Sequence, residues 1–389
     1  QGLRLTQAYA MAAGRWLALK VGLVRGQFGV GLVANGGEDA DPEEVGQSPF
    51  DVAYEHDRNL RLQLAVFPFE PKTDKRGKTQ APLALVVAAD AVMDDDTASW
   101  EAGDRTYQVL GGALARFGPV RLAAGTLYRD QAYAEGGETK VWLAALTGRW
   151  DILQRTHRLW IEGELDSYFG TSTLSQSAVR PGAFDVQATG GVGRLGYGRA
   201  EYDLVFEGGY ASGDDNAFDD RINTFTFDRE HRVGLLMFRQ AIRQSSAATA
   251  YNVADPTYRG SPSRGFDQLA NGGAIQNAIY VNPRFRYRLP GDLRLDLGYV
   301  WARSAVPVTD AFRSGLAGGA PVAWRGAAEA TALGHEVDLG LGYDWRLEPV
   351  TVRLRSQVGV FVPGEAFQDA RGADAPTMWA GLTQVEVRW

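Results

Sequence analysis

The chain has 389 residues, a net charge of −7 and no cysteine, which excludes a thiol nucleophile, a disulfide framework and a zinc–thiolate centre. With 45% apolar residues it is too hydrophobic for a disordered chain, and without a long basic block it is not expected to have a nucleic-acid partner. No apolar run reaches the roughly eighteen residues of a membrane-spanning helix; the best stretch, 82–92, contains Asp90.

In chain order the signal is alternation with a period of two. The first hairpin reads as a strand over 3–9 with a turn near 12–14, followed by a polar segment, 36–57, crowded with Glu38, Asp39, Asp41, Glu43 and Glu44. Leu60, Leu62, Leu64 and Val66 then oppose Arg61 and Gln63, and tight turns fall near 118–119 and 151–156. In the middle of the chain Glu162, Glu164 and Asp166 share one parity, while Tyr202, Leu204, Phe206 and Tyr210 oppose Glu201, Asp203 and Glu207. Between these lies Gly191-Val-Gly-Arg-Leu-Gly196, which has the spacing of a dinucleotide-binding loop. That loop requires a helix after it. Here another alternating stretch follows, so the glycines are expected to relieve crowding and turn the chain at 196–198.

The later strands are plainer. Ile279, Val281, Phe285, Tyr287 and Leu289 alternate with Asn282, Arg284, Arg286 and Arg288, and Leu293, Leu295, Leu297, Tyr299 and Trp301 with Asp292, Arg294, Asp296 and Gly298. Val337, Leu339, Leu341, Tyr343 and Trp345 oppose Glu336, Asp338 and Asp344. The last strand sets Trp379, Val385, Val387 and Trp389 against Gln384, Glu386 and Arg388. At about 3.3 Å per residue and a tilt near ~45°, Trp379 and Trp389 stand roughly 23 Å apart along the axis, close to the apolar band of an outer-membrane barrel. Tyr299, Trp301, Tyr343, Trp345, Trp379 and Trp389 are the expected membrane girdle. A soluble antiparallel sheet with one wet face also alternates, but segments of helical period that could cover its apolar face are nearly absent.

The pattern implies an all-β fold: a transmembrane, antiparallel, up-and-down β-barrel of about 16–18 strands with short periplasmic turns and long extracellular loops. Such a barrel sits in the bacterial outer membrane against lipid and lipopolysaccharide. Turns near 290–291 and 348–349, and polar segments at 93–105, 170–181, 213–230 and 304–334, carry the asymmetry. About fifteen strands are countable without 212–274. If the last strand ends on the turn side, an even, closed barrel requires one more strand before Gln1, or else the barrel closes in an unusual way. The chain, 1–389, reads as one barrel domain in which 213–274 forms either a further strand pair or an inward-folded constriction or plug.

Arg284, Arg286, Arg288, Arg294, Arg353 and Arg355 share the inward parity of the late strands, as Glu162, Glu164, Asp166, Glu201, Asp203 and Glu207 share that of the middle ones. These are the expected pore-lining residues. A basic wall facing an acidic wall passes polar solutes and favours one sign of charge, or the charges pair across the lumen and brace the barrel. Asp214, Asp215, Asp219 and Asp220 crowd one loop, where clustered carboxylates suit a loop-ordering Ca2+ or form a solvated acidic surface; no other cofactor is expected. His56, His157, His231 and His335 lack metal-ligand spacing, and His335 and Asp338 fall on opposite faces of their strand, so no enzyme site is expected.

The run Leu3-Arg-Leu-Thr-Gln-Ala-Tyr-Ala10, followed by Leu19-Lys-Val-Gly22 and Phe28-Gly-Val-Gly-Leu-Val-Ala-Asn-Gly36, resembles an uncharacterised family of outer-membrane barrels found in myxobacteria and their relatives. Phe225-Thr-Phe-Asp-Arg-Glu-His-Arg-Val-Gly-Leu-Leu-Met-Phe-Arg239 resembles another stretch of that family. Tyr210-Ala-Ser-Gly-Asp-Asp215 is distantly similar to the alginate-export porins. The resemblance implies an outer-membrane barrel with strands upstream of the first hairpin, and from that pattern the chain departs in lacking those strands and in an apparent insertion at 245–274. It supplies no substrate. Two functions stay open: a channel or export conduit for polar solutes, anionic polysaccharide among them, and a structural barrel with a plugged lumen that anchors or assembles a multi-protein envelope complex.

Overall fold

The structure, a computed structural model, describes residues 5, 7–36, 48–51, 57–73, 79–134, 136–173, 182–215, 221–247, 271–308, 310–318, 320, 322–323, 329–369 and 371–388. Fifteen strands follow one another through a single sheet: β1 (Ala8–Ala13), β2 (Leu17–Arg25), β3 (Arg58–Val66), β4 (Leu83–Asp94), β5 (Arg105–Phe117), β6 (Val120–Ala132), β7 (Glu138–Gln154), β8 (Arg158–Ser172), β9 (Phe184–Gly198), β10 (Tyr202–Ala211), β11 (Ala278–Leu289), β12 (Leu293–Arg303), β13 (Ala332–Leu347), β14 (Val350–Pro363) and β15 (Met378–Arg388). Every strand pairs antiparallel with its sequence neighbour, and Arg221–Ile222 adds a short sixteenth strand parallel to the start of β9. Among the described residues β1 and β15 each have one neighbour. Because the meander has an odd number of strands, both run in the same direction.

Connections alternate between two ends of the barrel. At the turn end, Gly118-Pro119 links β5 to β6, Gly118 taking a positive φ that a side chain would resist, and the links at 155–157, 290–292 and 348–349 are equally short. The connection 67–82 is the long exception at this end and carries its own small hairpin, Lys72–Thr73 against Thr79–Gln80. The long loops lie at the opposite, loop end. Two sequence expectations shift. The first strand begins at Ala8 and turns at 14–16. The turn placed at 196–198 falls at 199–201, because Gly196 and Gly198 still pair with Trp160 and Arg158. An added Cβ at Gly196 would stand 2.1 Å from the Trp160 ring, so this glycine makes room for an aromatic inside the sheet.

Alternation decides which face is which. Leu60, Leu62, Leu64, Val337, Leu339, Leu341, Val358, Val360 and Val385 are exposed on the outer face, and comparable side chains continue on almost every strand. A belt of that extent is stable against hydrocarbon and costly against water. No helix among the described residues is long and apolar enough to cross a membrane; the crossing is by strands. Of the expected girdle, Trp345 and Trp379 are exposed and Tyr299, Trp301 and Tyr343 are partly so, all on the outer parity, while Trp389 lies outside the described residues. The buried core lies on the other side of the sheet, inside the barrel.

Candidate functional site in the lumen

Three stretches between the strands, 26–36, 48–51 and 225–247, pack as an inner layer on the inward faces. Val30, Leu32, Phe50, Phe225, Phe227, Leu235, Leu236, Met237 and Phe238 form one apolar cluster with Ala188 and Val192 of β9, Tyr280 of β11, Val300 of β12 and Phe361 of β14. Wall glycines receive its rings: an added Cβ would stand 2.3 Å from Phe225 at Gly190 and 2.4 Å from Phe50 at Gly298. Of the segment 213–274, the stretch 223–247 forms no strand pair with its neighbours; Met237–Ile242 is a π-helical turn, and 248–270 lies outside the described residues.

Polar side chains of the wall hold this layer by its backbone, which has lost its water. The Glu164 carboxylate of β8 accepts the N–H groups of Val30, Gly31 and Leu32 at 2.5, 3.2 and 3.4 Å. On β13, the Glu336 carboxylate accepts those of Leu235, Leu236 and Met237 at 2.6, 2.8 and 2.7 Å. Gln357 of β14 donates to the Pro49 carbonyl and accepts the Asp51 N–H. Glu207 of β10, fully buried, accepts from Arg194 (2.6 Å), Arg284 (3.2 Å) and Tyr280 (2.8 Å), with the His231 imidazole of the inner layer 3.3 Å away. Burial holds His231 below the usual imidazole range despite that carboxylate. Within the layer, Asp228 accepts the Asn35 N–H at 2.9 Å and joins the first segment to the third. Its carboxyl is pushed well above the usual range by burial and by Asp96.

Toward the turn end the lumen is charged and wetter. Among the described residues five carboxylates are each bridged by two guanidiniums: Asp151 by Arg121 and Arg149, Glu162 by Arg149 and Arg194, Glu207 by Arg194 and Arg284, Asp203 by Arg158 and Arg288, and Asp296 by Arg286 and Arg294. Arg353 contacts Asp344 at 2.9 Å and Glu386 at 3.7 Å. Arg355 shares that inward face and is buried. The side chains of Arg158, Arg288 and Asp344 keep 39%, 30% and 30% exposure, whereas Asp166 and Asp338 further up keep none.

Sequence parity thus placed the inward residues, with one exception. Glu201 is exposed in the 199–201 turn, displaced from the wall by the later turn position. The picture of a basic wall opposite an acidic one is also corrected. The pairs are lateral, between the same or neighbouring strands or, for Arg158 with Asp203, across one intervening strand, because a strand spacing of about 4.8 Å brings such charges within reach while the lumen holds opposite walls apart. Arg149, Arg158, Arg194, Glu336, Asp338 and Gln357 complete the site and were not singled out. Their inward parity was the available signal, and for Arg194 the glycine motif around it obscured that parity. His335 faces outward and bonds Tyr299, away from Asp338. Asp214 accepts the Asn223 N–H, Asp215 is exposed, and Asp219, Asp220 and His56 lie outside the described residues.

No family model and no curated protein matches this chain. Solved structures similar to it include three from Pseudomonas aeruginosa, of the OccK and Opd outer-membrane porins. These are OccK1 (OpdK), at 12% identity and a TM-score of 0.49 over 98% of this chain and 78% of that one; OpdQ, at 10% and 0.48 over 98% and 81%; and OpdL, at 15% and 0.47 over 98% and 81%.

Proposed function

We propose that the chain is an outer-membrane channel for small polar solutes, biased toward anions, with its loop end closed by the inner layer. The observation that carries this reading is the doubly bridged carboxylates: guanidiniums outnumber carboxylates by one in each connected group, and the Arg158–Asp203–Arg288 group keeps that net positive charge facing a wet part of the lumen. Such a cluster lowers the cost of bringing a small carboxylate or phosphate into a narrow passage and raises it for a cation. Passage of an anionic polysaccharide is a finer version of the same reading. It requires the inner layer to swing aside as a whole, so small solutes are preferred.

Purified barrel in a planar bilayer under a salt gradient is expected to give ohmic steps with an anion-selective reversal potential. Arg288→Ser with Arg294→Ser should move that potential toward the cation side. An unchanged potential would remove the arginines from the selectivity step. The apolar packing of the inner layer favours a second reading, a plugged structural barrel that anchors an envelope complex. Complete absence of conductance in wild type, and in variants that loosen the inner layer, would favour it.

A further inference from the structure

One three-residue pattern occurs twice in the wall, and selectivity has no use for it. Glu164-Leu-Asp166 on β8 and Glu336-Val-Asp338 on β13 each turn both acidic side chains inward. Each glutamate accepts three consecutive N–H groups of the inner layer, 30–32 in one case and 235–237 in the other. Asp166 and Asp338 are fully buried, and neither oxygen of either has a hydrogen-bond partner among the described residues.

Among the described residues the surroundings supply no counter-charge to either aspartate. Around the first pair, the ladder partners are Thr147 and Ala145 on β7 and Val192 and Gly190 on β9. The nearest charged groups are engaged elsewhere: Glu162, Arg149 and Arg194 with one another below, and Arg129 with Asp95 above. Tyr168 follows Asp166 on the same face and packs on Phe225. Around the second pair, the partners are Val300 and Gly298 on β12 and Phe361 and Gly359 on β14. Asp296 holds Arg286 and Arg294, Arg239 of the inner layer holds Asp51, Arg232 donates to the Asp51 carbonyl, and Asp344 holds Arg353. Arg355 shares the face of Gly359 further along β14.

Two adjacent buried carboxyls with no cation between them are stable when they share a single proton, the aspartic acid O–H donating to the glutamate. The glutamate then keeps the negative charge that its three N–H donors stabilise.

We propose that each Glu-x-Asp pair is a proton-bearing latch: the shared proton lets the glutamate grip one segment of the inner layer, and removing it in base drives the carboxyls apart and frees that segment. The two latches hold different segments, which the Asn35–Asp228 hydrogen bond joins at one point. The latch is the gate of the channel proposed above and to that extent rests on that reading, but its test needs no current.

Because the chain has no cysteine, Ala241→Cys and Val30→Cys, both at buried positions, each place one reporter thiol on a latched segment. Their maleimide labelling rates in the folded full chain are measured between about pH 6 and about pH 10 and normalised to a thiol at exposed Ala102. The normalised rates should rise about tenfold in base. Asp338→Asn, whose amide donates a hydrogen bond and does not ionise, should flatten the rise at 241 and leave that at 30. Asp166→Asn should do the reverse. Flat wild-type rates, or a rise that survives both substitutions, would overturn the latch. If an Asn variant does not fold, the infrared C=O stretch of protonated carboxyl at neutral pH decides, read in an Asp57→Asn, Asp228→Asn background because burial raises those two carboxyls as well: its presence supports the latch and its absence overturns it. A silent barrel with the expected labelling would keep the latch and lose the channel; a conducting barrel with flat labelling would do the opposite.

Discussion

The two ends of the lumen solve the problem of an enclosed polar space in different ways. At the loop end, Val300, Ala302, Tyr280 and Phe361 of the wall meet an apolar inner layer, Glu336 and Gln357 hold its backbone N–H and carbonyl groups, and the Arg239–Asp51 pair is buried within it. At the turn end the contacts are ion pairs between flexible side chains that keep part of their water, such as Arg288 with Asp203 and Arg353 with Asp344. Packing of the first kind excludes water and fixes a single geometry. Pairing of the second kind is weaker, but it leaves a charged surface along which an ion can exchange partners. On the proposed function, one end closes and the other conducts.

Substitution at the junction of the two regions should have the largest effect. Glu207→Leu leaves Arg194 and Arg284 buried without their shared carboxylate and should cost about 3–5 kcal/mol, read as a lowered denaturation midpoint of the refolded barrel. A loss comparable to that of a surface substitution would show that the cluster is hydrated and that the regions are not distinct. Next, Gly298→Val fills the socket of Phe50 and should cost about 1–3 kcal/mol by overpacking, with faster hydrogen exchange confined to the loop end.

Acid should act on the loop end as well. His231 is kept neutral by burial, so an unfolded chain takes up its proton first, near the ordinary imidazole pKa of about 6.5. Its contribution is therefore complete above that pH and falls as pH drops through it, and His231→Gln should remove that slope from the unfolding free energy. The smallest effect belongs to the turn end. Arg288→Ser should change stability by no more than about 1 kcal/mol, because its partner Asp203 keeps Arg158. A large loss there would mean that the turn end is a packed core too.

The asymmetry between the regions also explains what the sequence made legible. The strands could be read because one face meets hydrocarbon and the other does not, and that requirement writes a period of two into β11 through β15. The inner layer meets the wall on irregular backbone, so 26–36 and 225–247 carry no period, and the alternatives for 213–274 stayed open. Pairing was hidden for another reason. Arg288 and Asp203 are 85 residues apart, and only the strand register brings them together. The sockets at Gly190 and Gly298 look like ordinary strand glycines until Phe225 and Phe50 are placed against them. The misplaced turn put Glu201 in the wall for a similar reason: Gly196 and Gly198 look like turn residues until Trp160 is seen packed against Gly196.

The central claim is that closure and selectivity reside at opposite ends of one lumen. Single-channel recording of a Glu164→Leu, Glu336→Leu double variant, with both grips on the inner layer removed, tests it most directly. The account predicts a conductance well above that of wild type with the anion-selective reversal potential retained. An unchanged conductance, or a selectivity lost together with the closure, would contradict it.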